Sequence, residues 1–296
     1  MPDKIFIFGD SFMYGEESHQ HEFDEAEFLK DASDAVGTKI ELDHHGVPTK
    51  PFTDTQRDKY IKFINGSIKR SSIHPNYYSM GAILARKLNC EYDMQATSGN
   101  SNNAIYKTFI DCIPKMTSDS LVLFGLSVPN RKTYYEQWID RHPVNHVTSC
   151  WSDVTAEPGY GKFEELDLLY GDDATARVLQ TYSFVTSAKS ISPCPVLFID
   201  PFHNFCDNKY HPDVPWNYVR RWSDQSQEDL KTFKQTYPHP ELLYWLEEQF
   251  KSLFVYGISE VFEEVTADGN PIQCINGHYS KYTYERYVDK VLLNEI

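Results

Sequence analysis

The sequence is short of basic residues, of patterned cysteine and of long apolar runs, and each shortage removes a class of function. Lys and Arg number 28 against 43 acids, a net charge of −15, which argues against nucleic acid or an anionic membrane surface as partner, since both are bound through positive charge. No stretch approaches the ~20 apolar residues of a membrane-spanning helix. The amino terminus has no basic segment followed by an apolar run and a small-residue cleavage site, so a cytoplasmic location is expected. The six cysteines, Cys90, Cys112, Cys150, Cys194, Cys206 and Cys274, show no CxxC spacing and no disulfide-scaffold density, the expectation for thiols in a reducing compartment. Neither GxxxxGK[ST] nor GxGxxG occurs, which counts against a nucleotide-binding loop. His19, His21, His44 and His45 fit no metal-ligand spacing, and neither metal nor cofactor is expected. There is no internal repeat, and nothing sets an oligomeric state.

What the sequence does have is an apolar run at its start, Lys4 to Phe8, that breaks sharply into Gly9-Asp10-Ser11. Such a run bounded by a turn reads as a strand buried on both faces of a parallel sheet, and Ser11 then stands at its carboxyl end. Apolar residues Met80, Ile83, Leu84 and Leu88 predict a helix, and a short strand follows near 91–95. A turn from Ala96 to Ser101 leads into a helix through Ile105, Phe109 and Ile113. Ser120 to Gly125 and Pro195 to Ile199 read as further buried strands, the second ending in Asp200. Val178, Tyr182 and Val185 mark another helix, as do Leu242, Leu243, Leu246, Phe250 and Leu253. Cys274 to His278 forms a glycine-containing turn before a last helix with Tyr284, Tyr287, Val288, Val291 and Leu292 on one face.

Buried strands alternating with helices predict an α/β chain, a flavodoxin-like three-layer α/β/α sandwich with a mostly parallel sheet. With 41% hydrophobic residues in 296 there is enough for one domain, 1–296, carrying long loop insertions at about 16–75, 132–172 and 201–240. The first insertion is read as polar, with a short helix near Glu25 to Ala32. Right-handed crossovers put polar strand ends on one edge, so Ser11, Gly99, Ser127 and Asp200 should converge there.

A serine at that edge is a candidate nucleophile, and His278 is the natural base to take its proton. Gly9-Asp10-Ser11 near the start, a glycine after the second strand and a histidine before the last helix together resemble the SGNH, or GDSL, hydrolases. Their blocks run Gly-Asp-Ser, a glycine, Gly-x-Asn-Asp and Asp-x-x-His. Ala96 to Asn102 and the Pro129-Asn130-Arg131 run look like a branch common in bacteriophage genomes. The resemblance implies the SGNH hydrolase fold, Ser11 as nucleophile, His278 as base, and an oxyanion hole from Ser11, Gly99 and Asn102, with no cofactor or metal. For a phage-encoded chain it implies the host cytoplasm or the virion.

Two blocks depart from the family. Ser127 stands where the family has its asparagine, so the side-chain donor would come from Asn102 or Asn100, whose alternative task is to cap the helix beginning there. Ile275 stands where the family has the acid that orients the histidine. Either a backbone carbonyl holds His278 or an acid such as Asp200 serves from another strand end. Asp10 is expected to hold its turn by accepting backbone hydrogen bonds.

The implied reaction is cleavage of a small, acetyl-type ester through an acyl-enzyme. The pocket candidates are Ser127, Trp138 and Trp151. Four tryptophans, Trp138, Trp151, Trp216 and Trp222, fall in the insertions, where they either stack on a carbohydrate substrate or pack the loops. Two other readings stand beside this one: a catalytically degenerate relative that binds or serves in phage assembly, and a phosphate binder using the Gly9–Ser11 and Ser98–Ser101 turns as anion nests.

Overall fold

A computed structural model describes residues 1–15, 25–42, 48–50, 52–70, 76–97, 100–127, 132–137, 147–152, 174–199, 245, 249, 253–255, 258, 261–274 and 278–296. Five strands form one sheet: β1 (Lys4–Phe8), β2 (Glu91–Met94), β3 (Ser120–Gly125), β6 (Val196–Ile199) and β7 (Phe254–Val255), in the order β2-β1-β3-β6-β7. Glu91 N–H donates to Asp3 O, Gln95 N–H to Ile7 O and Thr97 N–H to Gly9 O, a constant offset that sets β2 parallel to β1. β3 runs parallel to β6, and β6 to β7. This is the α/β class with the flavodoxin-like strand order, and that order reverses between β1 and β3.

The expected burial on both faces holds: Ile5 to Phe8 and all six residues of β3 are buried. One face carries a row of rings. Phe124 lies opposite Phe198, and Phe198 opposite Phe254, with centroids 5.5 and 6.0 Å apart. Phe8 joins them, 6.2 Å from Phe124. Helices α5 (Asn102–Cys112) and α6 (Ala174–Ile191) cover this row with Ile105, Phe109, Val185 and Ala188. Phe109 meets Phe8 edge-on at 5.6 Å.

By contacts the chain groups into two compact units: residues 1–5, 11–94 and 257–296, and residues 6–10 with 95–256. The sheet face just described lies in the second. In the first, α1 (Ser11–Tyr14) and α4 (Met80–Leu88) pack together, as do α4 and α8 (Lys281–Lys290). Lys87 and Asp289 tie the latter pair at 2.6 Å. A short α7 (Phe262–Ala267) packs on α8, where Arg286 pairs with Glu264 and Asp268.

The first two insertions are not bare loops. The segment read as polar holds α2 (Glu25–Val36), longer than the expected 25–32, and α3 (Asp54–Arg70). Phe28, Ala32 and Val36 recur every fourth residue and meet Tyr60 and Ile64, a small core of their own. Amphipathic stripes this narrow are hidden by the acids and lysines around them. The second insertion contains an antiparallel pair, β4 (Lys132–Gln137) and β5 (Val147–Ser152), with Lys132 opposite Ser152 and Gln137 opposite Val147. The third, 201–240, lies outside the described residues, as do His19, His21, His44, His45 and most of the helix expected from Leu242. Cys90, Cys112, Cys194 and Cys274 carry thiols rather than disulfides. No helix among the described residues is long and apolar enough to cross a membrane.

Candidate active site

Ligands in open α/β sheets bind beyond the carboxyl ends of the strands where strand order reverses. Here that point lies between β1 and β3. β1 ends in Gly9, whose φ of +155° is one that side chains rarely allow, and α1 begins two residues later at Ser11. The Ser11 side chain itself is outside the described residues.

Between the two strand ends, in the second unit, lies a buried polar cluster. Asp10 and Ser127 are both 0% exposed, and the Ser127 hydroxyl donates to Asp10 Oδ2 at 3.1 Å across 117 residues of sequence. A carboxylate taken fully out of water requires such donors, because an uncompensated buried charge is very costly. Ser127 is in turn gripped by Asn102. Its N–H donates to Asn102 Oδ1 at 2.8 Å, and Asn102 Nδ2 donates to its carbonyl at 3.0 Å. The side-chain amide thus pairs with the Ser127 peptide as a neighbouring strand would. Asn100 repeats the device on the other strand, Nδ2 donating to Gly9 O at 3.0 Å. The turn after β2 is thereby tied to the ends of both β1 and β3.

The structure reassigns one local role. The cap of α5 is Ser101, whose Oγ accepts from Ala104 N–H, so neither Asn100 nor Asn102 is the capping residue. Asp10 accepts from the Ser127 side chain. Nothing local signals that bond, since its partners are remote in sequence and serine after a strand is ordinary turn chemistry. Gly99, Asp200 and Trp138 lie outside the described residues. Trp151 stands in β5 opposite Thr133, with no more described of it.

His278 belongs to the first unit and is half-buried. Its loop is closed by a bridge between Gln273 and Tyr279 and by Cys274 N–H donating to His278 O at 2.6 Å. The loop is fastened to the start of α8. Ser280 N–H donates to Ile272 O at 2.9 Å, Ser280 Oγ to Pro271 O at 2.5 Å, and Thr283 Oγ1 to Ile272 O at 2.8 Å. Among the described residues no group of His, Cys, Asp and Glu could hold a metal ion.

No protein-family model and no curated protein matches the chain. Several solved structures resemble it, three of them as follows. One is a member of the lipolytic G-D-S-L family from Veillonella parvula, 11% identical over 76% of this chain and 93% of that one, with a TM-score of 0.35. Another is phospholipase A1 from Streptomyces albidoflavus, 12% identical over 100% and 99% of the chains, TM-score 0.35. The third is a carbohydrate esterase described as having divergent catalytic and non-catalytic binding functions, 11% identical over 97% and 68%, TM-score 0.34. A likeness of this degree assigns the chain no activity.

Proposed function

We propose that the chain is a serine ester hydrolase that removes a small acyl group, with Ser11 as nucleophile and His278 as general base. The observation that carries this reading is where the first helix begins: α1 starts at Ser11, just past the end of β1, at the reversal of strand order. The braced loop of His278 supports it, because a base must be held in place yet stay outside the core.

In the proposed reaction His278 takes the hydroxyl proton as Ser11 Oγ attacks the acyl carbon. Backbone N–H groups of Ser11 and Gly99, with the Asn102 amide, are the oxyanion donors in this reading, each worth about 10² to 10³ in rate. Collapse expels the alcohol, which receives the proton from His278. Water then cleaves the acyl-enzyme with His278 again as base. Asp200 is the proposed orienting acid, and an O-acetylated carbohydrate lying near Trp138 and Trp151 the proposed substrate, Ser127 being fully buried.

A second reading keeps the same edge as a non-catalytic binding surface. It is favoured by the engagement of Asn102 with the Ser127 peptide and by Ile275 at the family's acid position. Hydrolysis of p-nitrophenyl acetate decides between them. Ser11→Ala and His278→Ala are each expected to lower kcat by about 10³-fold or more, with a fluorophosphonate adduct on Ser11 in the wild-type protein. A folded wild-type protein with no such adduct, and no faster than Ser11→Ala, selects the binding reading.

A further inference from the structure

The cluster between β1 and β3 couples three groups in series. Asn102 is 6% exposed and stands at the first residue of α5, so its side chain is carried on a helix that is itself packed under the phenylalanine row. Its two bonds engage both main-chain groups of Ser127, the N–H and the C=O. With that backbone held, the Ser127 hydroxyl meets Asp10 Oδ2. Asp10 is joined by its peptide bond to Ser11. Two of the three groups are fully buried, so water replaces a lost bond there only poorly.

We infer that Asn102 is a positioning residue for Ser11: it sets the Ser127 backbone, Ser127 holds the Asp10 carboxylate, and Asp10 fixes the turn that carries Ser11. The inference rests on the reading of Ser11 as nucleophile, and it gives the Asn102 amide a different task from that of oxyanion donor. The serine at position 127 is then not a loss. It supplies a hydroxyl where the buried carboxylate needs a donor.

The two tasks predict different couplings. A donor to the oxyanion acts on the substrate independently of Ser127, and its removal adds to that of the Ser127 hydroxyl. Members of one chain of contacts do not add.

The test is p-nitrophenyl acetate kinetics on Asn102→Ala, Ser127→Ala and the double variant, with circular dichroism to confirm folding and fluorophosphonate labelling of the wild-type protein beside them. Expected are falls in kcat of about tenfold to 100-fold in each single variant, the scale of a small misplacement of a reacting group. KM should stay within about twofold, and the double variant should be no slower than the slower single. Where a small side chain prevents folding, Asn102→Asp keeps the volume and the acceptor for Ser127 N–H, removes the donor, and carries the same expectation. Wild-type kcat in the folded variants, or additive losses in the double, overturns the inference while leaving Ser11 the nucleophile. A wild-type protein without a Ser11 adduct overturns both.

Discussion

Gly15 closes α1 with φ of +74°, and a Cβ there would lie 2.7 Å from Ser79 Cα and 2.9 Å from Ser79 N. Ser79 cannot yield, because it is fully buried and its Oγ accepts from Ala82 N–H as the cap of α4. The glycine therefore lets the helix that begins at Ser11 approach α4 at backbone distance. Gly15→Ala is expected to destabilise by about 2 kcal/mol or more, adding the overpacking cost to that of a left-handed alanine. Gly269→Ala is the control, since its φ is +77° but nothing lies within 4 Å of the added carbon. It should lose only about 1 kcal/mol. Urea denaturation of both variants measures the difference, and equal losses would remove the packing part of the argument.

The segment before α8 is held by side chains rather than by a long ladder. Ser280 Oγ donates to Pro271 O and accepts from Thr283 N–H at 3.3 Å, so one hydroxyl both caps the helix and fastens the strand-like stretch that leads to His278. Ser280→Ala is expected to lower stability by about 1–2 kcal/mol in chemical denaturation, at the upper end for a cap. β1, β3 and β6 were legible in sequence because burial on both faces leaves consecutive apolar residues. α4 and α8 were legible because their apolar residues keep helical spacing. β7 has two residues and α7 six, too few to show any period, and the face of α3 is thinned to Tyr60, Phe63 and Ile64. At the candidate site the rule of strand ends pointed to Ser127, which lies against Asp10, the residue before Ser11, while Gly99 and Asp200 lie outside the described residues. The bonds that organise it could not be read, since Asp10 meets Ser127 only after the sheet has formed.

Among the described residues, a thiol in each unit is set to answer alkaline pH. Burial raises Cys90 above its ordinary value of 9.0, with Asp3 adding to the effect, and burial likewise raises Cys194. A group that holds its proton more tightly when folded contributes stability that is complete below the unfolded value and is lost as pH climbs through the folded one. Stability to urea should therefore fall as pH rises through and above the ordinary thiol range, about 8.5, and the fall should be smaller in the Cys90→Ala/Cys194→Ala variant. An equal fall in both proteins would assign it to other groups.

The order of the sheet also bears on how this chain meets its own copies. The most apolar strands, β1 and β3, are interior to it, and its outermost strands among the described residues are β2 and β7. β2 carries Glu91, which is exposed, and Asp93, which pairs with Lys4 at 3.6 Å, while β7 offers only Phe254 and Val255. Among the described residues, a charged margin on one side and a two-residue margin on the other give an incoming strand little to copy, the arrangement by which native sheets escape edge-to-edge aggregation.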